Sequence, residues 1–145
     1  MYIEKAAEAT DEILLALEKL IPQLGADKFP PSTNELSALL DSEASTLILA
    51  RYPEKDSDIV GVLTLVIYRT STGVRSIVED VIVDERFREL GIAKALLGYV
   101  IDLARKAGAA NVSLSSASHR QAANALYRRM GFQLRDSNFY ILHLS

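Results

Sequence analysis

Gly91 marks a change of period. Before it, Val78-Glu79-Asp80-Val81-Ile82-Val83 is the apolar-rich run of a strand. After it, Ile92, Leu96, Val100 and Leu103, with Leu97, Ile101 and Ala104, fall on one broad helix face. A strand, a tight turn and a helix start point several backbone N–H groups at one spot. The first four amides of a helix have no intrahelical partner, and the helix dipole adds partial positive charge there. A phosphate group satisfies both. Gly91 has no side chain to hold such a ligand away from the main chain. The segment Arg88-Glu89-Leu90-Gly91-Ile92-Ala93 therefore reads as a pyrophosphate cradle, although a glycine that serves only its turn is the plainer alternative. It is neither the three-glycine dinucleotide fingerprint nor a P-loop.

The rest of the chain limits the classes this cradle can belong to. With 145 residues, 49% of them hydrophobic, it has the size and apolar content of one domain, expected over 1–145. The absence of cysteine removes disulfides, thiolate zinc sites and a cysteine nucleophile together. His119 and His143 stand alone, so no metal site is expected. A net charge of −3 argues against a nucleic-acid partner. The longest apolar stretch, Ile59 to Tyr68, is too short to span a bilayer, and Met1-Tyr2-Ile3-Glu4-Lys5 lacks a signal-peptide core. A soluble, cytoplasmic protein without a membrane partner is the expectation.

Periodicity and punctuation set the element order. Tyr2 to Lys5 reads as a short strand. Thr10 or Asp11 caps a helix to about Leu20, which Pro22 ends. Gln23 to Pro31 is a loop, and Ser32 with Glu35 forms a capping-box pattern opening a helix to about Leu40. Thr46–Tyr52, Ile59–Arg69 and Ser76–Val83 read as strands, the last two joined by a turn at Thr70-Ser71-Thr72-Gly73. The helix after Gly91 closes near Gly108. Asn111–Ser115 is a strand, Ser118 and Gln121 form a second capping-box pattern, and Phe139–Leu144 is a final strand. Antiparallel strands followed by a strand–helix–strand crossover indicate an α+β (mixed α/β) fold.

A second motif lies downstream: Ala123-Asn124-Ala125-Leu126-Tyr127-Arg128-Arg129-Met130-Gly131-Phe132. With the cradle, it resembles the GCN5-related N-acetyltransferase (GNAT) family. Arg88, Gly91 and Ala93 match the family's cofactor loop. Leu126, Tyr127, Gly131 and Phe132 match the end of its later helix. Thirty-six residues separate Gly91 from Tyr127, room for a helix, a strand and a second helix. The resemblance implies a central, mostly antiparallel, splayed sheet of six to seven strands flanked by about four helices. It implies a gap between the strands Ser76–Val83 and Asn111–Ser115. A homodimer is open, as relatives are often dimers.

The resemblance also implies acetyl-CoA as cosubstrate. Amides of Arg88, Glu89, Leu90, Gly91, Ile92 and Ala93 would hold its pyrophosphate, and main-chain groups of Ile82 and Val83 would pair with its pantetheine arm. Glu89 departs from the family's commonest form, which has glycine there. Asn124, or Arg120 nearer the helix start, would contact the cofactor; a solvent-facing Asn124 is the alternative. Tyr127 would protonate the leaving thiolate, and its stripe with Ala123 and Met130 equally suits a core position. The acceptor amine must lose a proton before it attacks. Glu79 and Asp80 are the candidate bases, and a regular strand would place Glu79 with Val81 and Val83, and Asp80 with Ile82, on opposite faces. A bulge would change that. The acceptor, a small molecule or a peptide amine, would be shaped by Gln23 to Pro31, including Phe29, and by Arg135 to Phe139, with Tyr68 adding apolar wall. A non-catalytic sensor of CoA or acetyl-CoA is the competing reading.

Overall fold

The computed structural model describes residues 1–144. The chain forms two compact units, Met1–Ser115 and the residues from Ser116 onward. In the first unit the elements are β1 (Tyr2–Lys5), α1 (Asp11–Leu20), α2 (Thr33–Asp41), β2 (Ser45–Arg51), β3 (Ile59–Thr70), β4 (Gly73–Val83), α3 (Ile92–Lys106) and β5 (Val112–Leu114). The second unit contains α4 (Gln121–Arg129).

Local signals explain most boundaries. The Thr10 hydroxyl accepts the Ile13 amide and starts α1. Ser32 and Glu35 make the full capping box of α2. Pro22 does not lead straight into a loop; it sits at the start of a 3₁₀ turn over Ile21–Leu24. The Ser118–Gln121 box does not form: α4 begins after Arg120, with no side-chain cap.

The sheet runs β1-β2-β3-β4-β5, antiparallel throughout except for the parallel β4–β5 pair. Five strands form among the described residues, not the six to seven expected. The difference lies at the C-terminal end. Phe139, Tyr140, Ile141 and Leu142 carry strand-prone side chains, yet no ladder includes them and all are exposed. Strand propensity alone does not make a strand, and among the described residues this segment joins no ladder.

Helices cover both faces of the sheet. Leu47, Leu49, Val62 and Ile82 pack with Ile13, Leu17 and Leu20 of α1 and Leu36 of α2. On the other face, α3 buries Ile92, Leu96, Leu97, Val100 and Ala104. Truncating any fully buried leucine here would cost about 2–5 kcal/mol, a large part of a domain's total stability. Gly61 permits the close seating of α3. A Cβ at Gly61 would come within 3.3 Å of the Ile82 carbonyl and of Ile92 Cγ2, where α3 starts.

One irregularity shapes β4. Glu79 pairs with Thr64 and Ile82 with Val62, so Asp80 and Val81 together oppose Leu63. This is a β-bulge, and Asp80 adopts the left-handed conformation with φ +53°. The regular-strand expectation is thereby corrected. Directly opposed residues share a face, so Glu79 lies on the Thr64 and Val62 face together with Ile82. Val83, opposite Gly61, lies on the other.

Candidate active site

The candidate cofactor loop begins where β4 ends. β5 pairs only with Ser76, Ile77 and Val78, so Glu79 to Val83 have no strand on that side among the described residues. The Asp84 amide donates to the Val60 carbonyl at 2.8 Å. By antiparallel alternation the Ile82 main chain is then spent on Val62, and that of Val83 points to the open side. Of the two residues expected to pair with a pantetheine arm, Val83 turns its amide to the open side, while its carbonyl already has a donor. Arg88 Nε reaches the Val83 carbonyl at 3.4 Å.

Beyond a 3₁₀ turn at Glu85–Phe87, the chain passes through Arg88, Glu89 and Leu90 to Gly91. Glu89 (φ +64°) and Gly91 (φ +83°) are both left-handed. Gly91 is the N-cap of α3 and supplies no capping side chain. The Ala95 amide makes the first helical bond, to the Gly91 carbonyl at 3.0 Å, which leaves the amides of the first turn for another acceptor. A Cβ on Gly91 would meet nothing within 4 Å, so glycine is set here by φ, and the space in front of the loop is open. The first turn has no acidic residue, and its third residue is Lys94. A cation opposes the helix dipole at that position but suits a bound anion. The loop therefore fits a pyrophosphate. Glu89 fits less well, since its carboxylate brings negative charge and its backbone adopts a conformation costly for a residue with a Cβ.

Asp84 was not visible as a site residue in the sequence. It is buried, with 3% of its side chain exposed. Its carboxylate accepts the Arg86 amide and guanidinium, each at 3.1 Å, and lies 3.3 Å from Lys19 Nζ of α1. Burial alone would raise its pKa; the Arg86 contacts and the Lys19 ammonium outweigh burial and bring it down to about 2. Beside it, the Gln23 side-chain oxygen accepts the Glu85 amide at 3.0 Å. Two contacts thus tie α1 and its 3₁₀ extension to the turn that enters the cofactor loop.

On the α1–α2 face the sheet and helices form a partly open cavity of about 400 Å³. Leu17, Ile21, Leu24 and Leu39 wall it from the helices, and Leu47, Val62 and Thr64 form its floor. Lys28, Phe29, Pro30 and Pro31 edge it from the loop. Of the two candidate carboxylates on β4, Asp80 lines this cavity, turned there by the bulge. Glu79 shares the face by register but is not part of the cavity wall; both carboxylates are exposed. Glu35 also lines the cavity, but its carboxylate is held by the Ser32 amide, which keeps it ionised below the usual carboxylate range. Phe29 lines this cavity. Tyr68 lies opposite Arg75 near the far hairpin and does not.

In the second unit, Tyr127 is the buried residue of α4, and its ring meets Phe132 edge-on at 6.0 Å. Burial raises its pKa, partly countered by Arg120, so the phenol stays protonated at neutral pH. Asn124 Nδ2 donates to the Ala117 and Arg120 carbonyls at 3.0 and 2.8 Å, which leaves its oxygen as the side-chain group for any ligand.

The family model for the acetyltransferase (GNAT) family matches residues 13–132. The chain belongs to that family. No curated protein sequence matches it. Among solved structures, a probable acetyltransferase is similar at 26% identity and a TM-score of 0.84, covering 100% of this chain and 99% of that one. An acetyltransferase from Trypanosoma brucei shares 24% identity with a TM-score of 0.78, over 98% and 99% of the two chains. An aminoglycoside acetyltransferase from an uncultured soil metagenomic sample, solved with trehalose, shares 19% identity with a TM-score of 0.83, over 99% and 95%. The last two show the fold alone. Family membership makes the protein an acyltransferase of the acetyl-transferring kind.

Proposed function

We propose that this GNAT protein is an acetyl-CoA-dependent N-acetyltransferase acting on a primary amine by direct attack in a ternary complex. The observation that carries the reading is the uncapped start of α3 at Gly91, beside a strand edge left unpaired beyond Val78. First-turn amides and Lys94 would hold the pyrophosphate, and Val83 would pair with the pantetheine arm. Bound there, acetyl-CoA would supply a thioester whose acetyl carbon bonds the amine nitrogen as the carbon–sulfur bond breaks.

The protein's own groups handle the protons. Asp80, with Glu79 beside it, is proposed to take the proton from the acceptor ammonium, directly or through water. Tyr127, neutral at working pH, is proposed to protonate the departing thiolate, on the strength of the family resemblance. Without cysteine, no thiol can carry an acetyl group between two half-reactions, which favours direct transfer. A cytoplasmic location and a homodimer belong to the same proposal; the homodimer rests on the resemblance, the location on the charged segment Met1–Lys5 and the short apolar stretches. No helix among the described residues is long and apolar enough to cross a membrane.

The competing reading is a domain that binds CoA without catalysis. Mixing protein, acetyl-CoA and a panel of amines separates the two. Release of free thiol is expected with at least one amine. Thermal stabilisation by CoA without thiol release would point to the sensor, and no stabilisation would remove the cofactor site itself.

A further inference from the structure

The cavity on the α1–α2 face carries information about what the enzyme acetylates. Apart from Lys28, Glu35, Thr64 and Asp80, every residue lining it is apolar. Its volume, about 400 Å³, lies near the lower end of the roughly 300–1,000 Å³ typical of small-molecule sites. A polyhydroxylated amine would set hydroxyls against leucine and proline there, and each one left unpaired weakens binding.

The charges narrow the choice further. Glu35 is committed to capping α2. Asp80 has no ion-pair partner among the described residues and lines the wall at the bulge. With Glu79 off the wall, one available carboxylate on the cavity lining matches one ammonium. Lys28 at the edge makes a second cation on the same ligand unfavourable. A ring to cover is present as well: Phe29 lines the cavity yet is 83% exposed, so its face waits for an apolar group. Pro30 and Pro31 fix the backbone beside it and lower the cost of ordering that edge.

We infer that the acceptor is a primary monoamine carried on a compact apolar body, such as an arylalkylamine, with its nitrogen at Asp80 and its body against Phe29. This rests on the acetyl-transfer reading above and names the substrate class for the same site.

The test uses the full-length protein saturated with CoA, with phenethylamine, spermidine and sisomicin as probes, and reads binding by calorimetry and acetylation by thiol release from acetyl-CoA. Phenethylamine is expected to bind at least tenfold more tightly than either polycation. Asp80→Asn is expected to weaken phenethylamine at least tenfold, and Lys28→Ala to narrow the gap between phenethylamine and spermidine. Tighter binding of spermidine or sisomicin, or no binding of phenethylamine, overturns the substrate class whatever the turnover. Binding of phenethylamine without thiol release keeps the class and removes the acetyl-transfer reading. A third variant, Phe29→Ala, changes an exposed side chain that folding does not need, and unchanged phenethylamine affinity in it overturns the placement of the apolar body.

Discussion

Lys19 Nζ lies 3.3 Å from Asp84 Oδ2, which joins α1 to the turn that enters the proposed cofactor loop. The two partners are unequal. Lys19 is 53% exposed and can return to water at little cost, whereas Asp84 is buried. An ion pair with one exposed partner is worth at most about 1 kcal/mol, so Lys19→Met should change stability little.

Asp84→Asn should cost more. The folded pKa, about 2, lies below the ordinary 3.8, so ionised Asp84 stabilises the fold above pH 4. That contribution is lost as pH falls from about 3.8 to about 2, and it is on the order of 2 kcal/mol. Urea unfolding should show the loss at neutral pH in the variant, and a flatter stability profile between pH 4 and 2.

Glu89→Gly separates conformation from charge. Relief of a left-handed residue gains about 1–2 kcal/mol, and the extra freedom of glycine in the unfolded chain returns about 1 kcal/mol of it. Thermal stability should therefore move by only a few degrees. CoA affinity should rise, more at low salt than at high, because a carboxylate leaves the loop facing the phosphates. An unchanged affinity in calorimetry would place the Glu89 side chain clear of the ligand.

The two β4 carboxylates can be told apart. Asparagine tolerates the left-handed conformation, so Asp80→Asn keeps the bulge and removes only the charge. It should lower kcat/KM by at least tenfold at pH 7, with partial recovery as rising pH deprotonates the amine in solution. Glu79→Gln should have the smaller effect, given its place off the cavity wall. A reversed order in the pH–rate profiles would make Glu79 the base.

Tyr127→Phe should lower kcat at least tenfold while acetyl-CoA affinity stays nearly constant. The phenyl ring keeps the edge-on contact with Phe132, so lost turnover would report the hydroxyl. Undiminished kcat removes Tyr127 from the mechanism.

Much of this was legible in the sequence because its signals are local. The caps at Thr10 and Ser32 and the strand–glycine–helix passage at Gly91 each act within a few residues. The left-handed Glu89 was not legible, but its cause is: it occupies a glycine position of the family's loop. Lys94 was open to detection as a basic residue in a first helical turn. Asp84 was not, since its burial and its bond to Lys19 depend on α1 folding over β4. The face shared by Glu79 and Ile82 was hidden for the same reason, because a bulge is a property of two strands in register. Phe139 to Leu144 show the opposite failure, a local preference for strand that forms no ladder among the described residues.

The bulge on β4 makes Asp80 surplus to the architecture. If it were deleted, Glu79 would still meet Thr64, Val81 would fall opposite Leu63, and Ile82 would keep Val62. Both hydrophobic layers would survive with a straighter ladder and one less strained residue. A fold indifferent to Asp80 leaves the ligand as the reason to retain it, and a chain shortened by that one residue should melt like the parent yet process amines poorly.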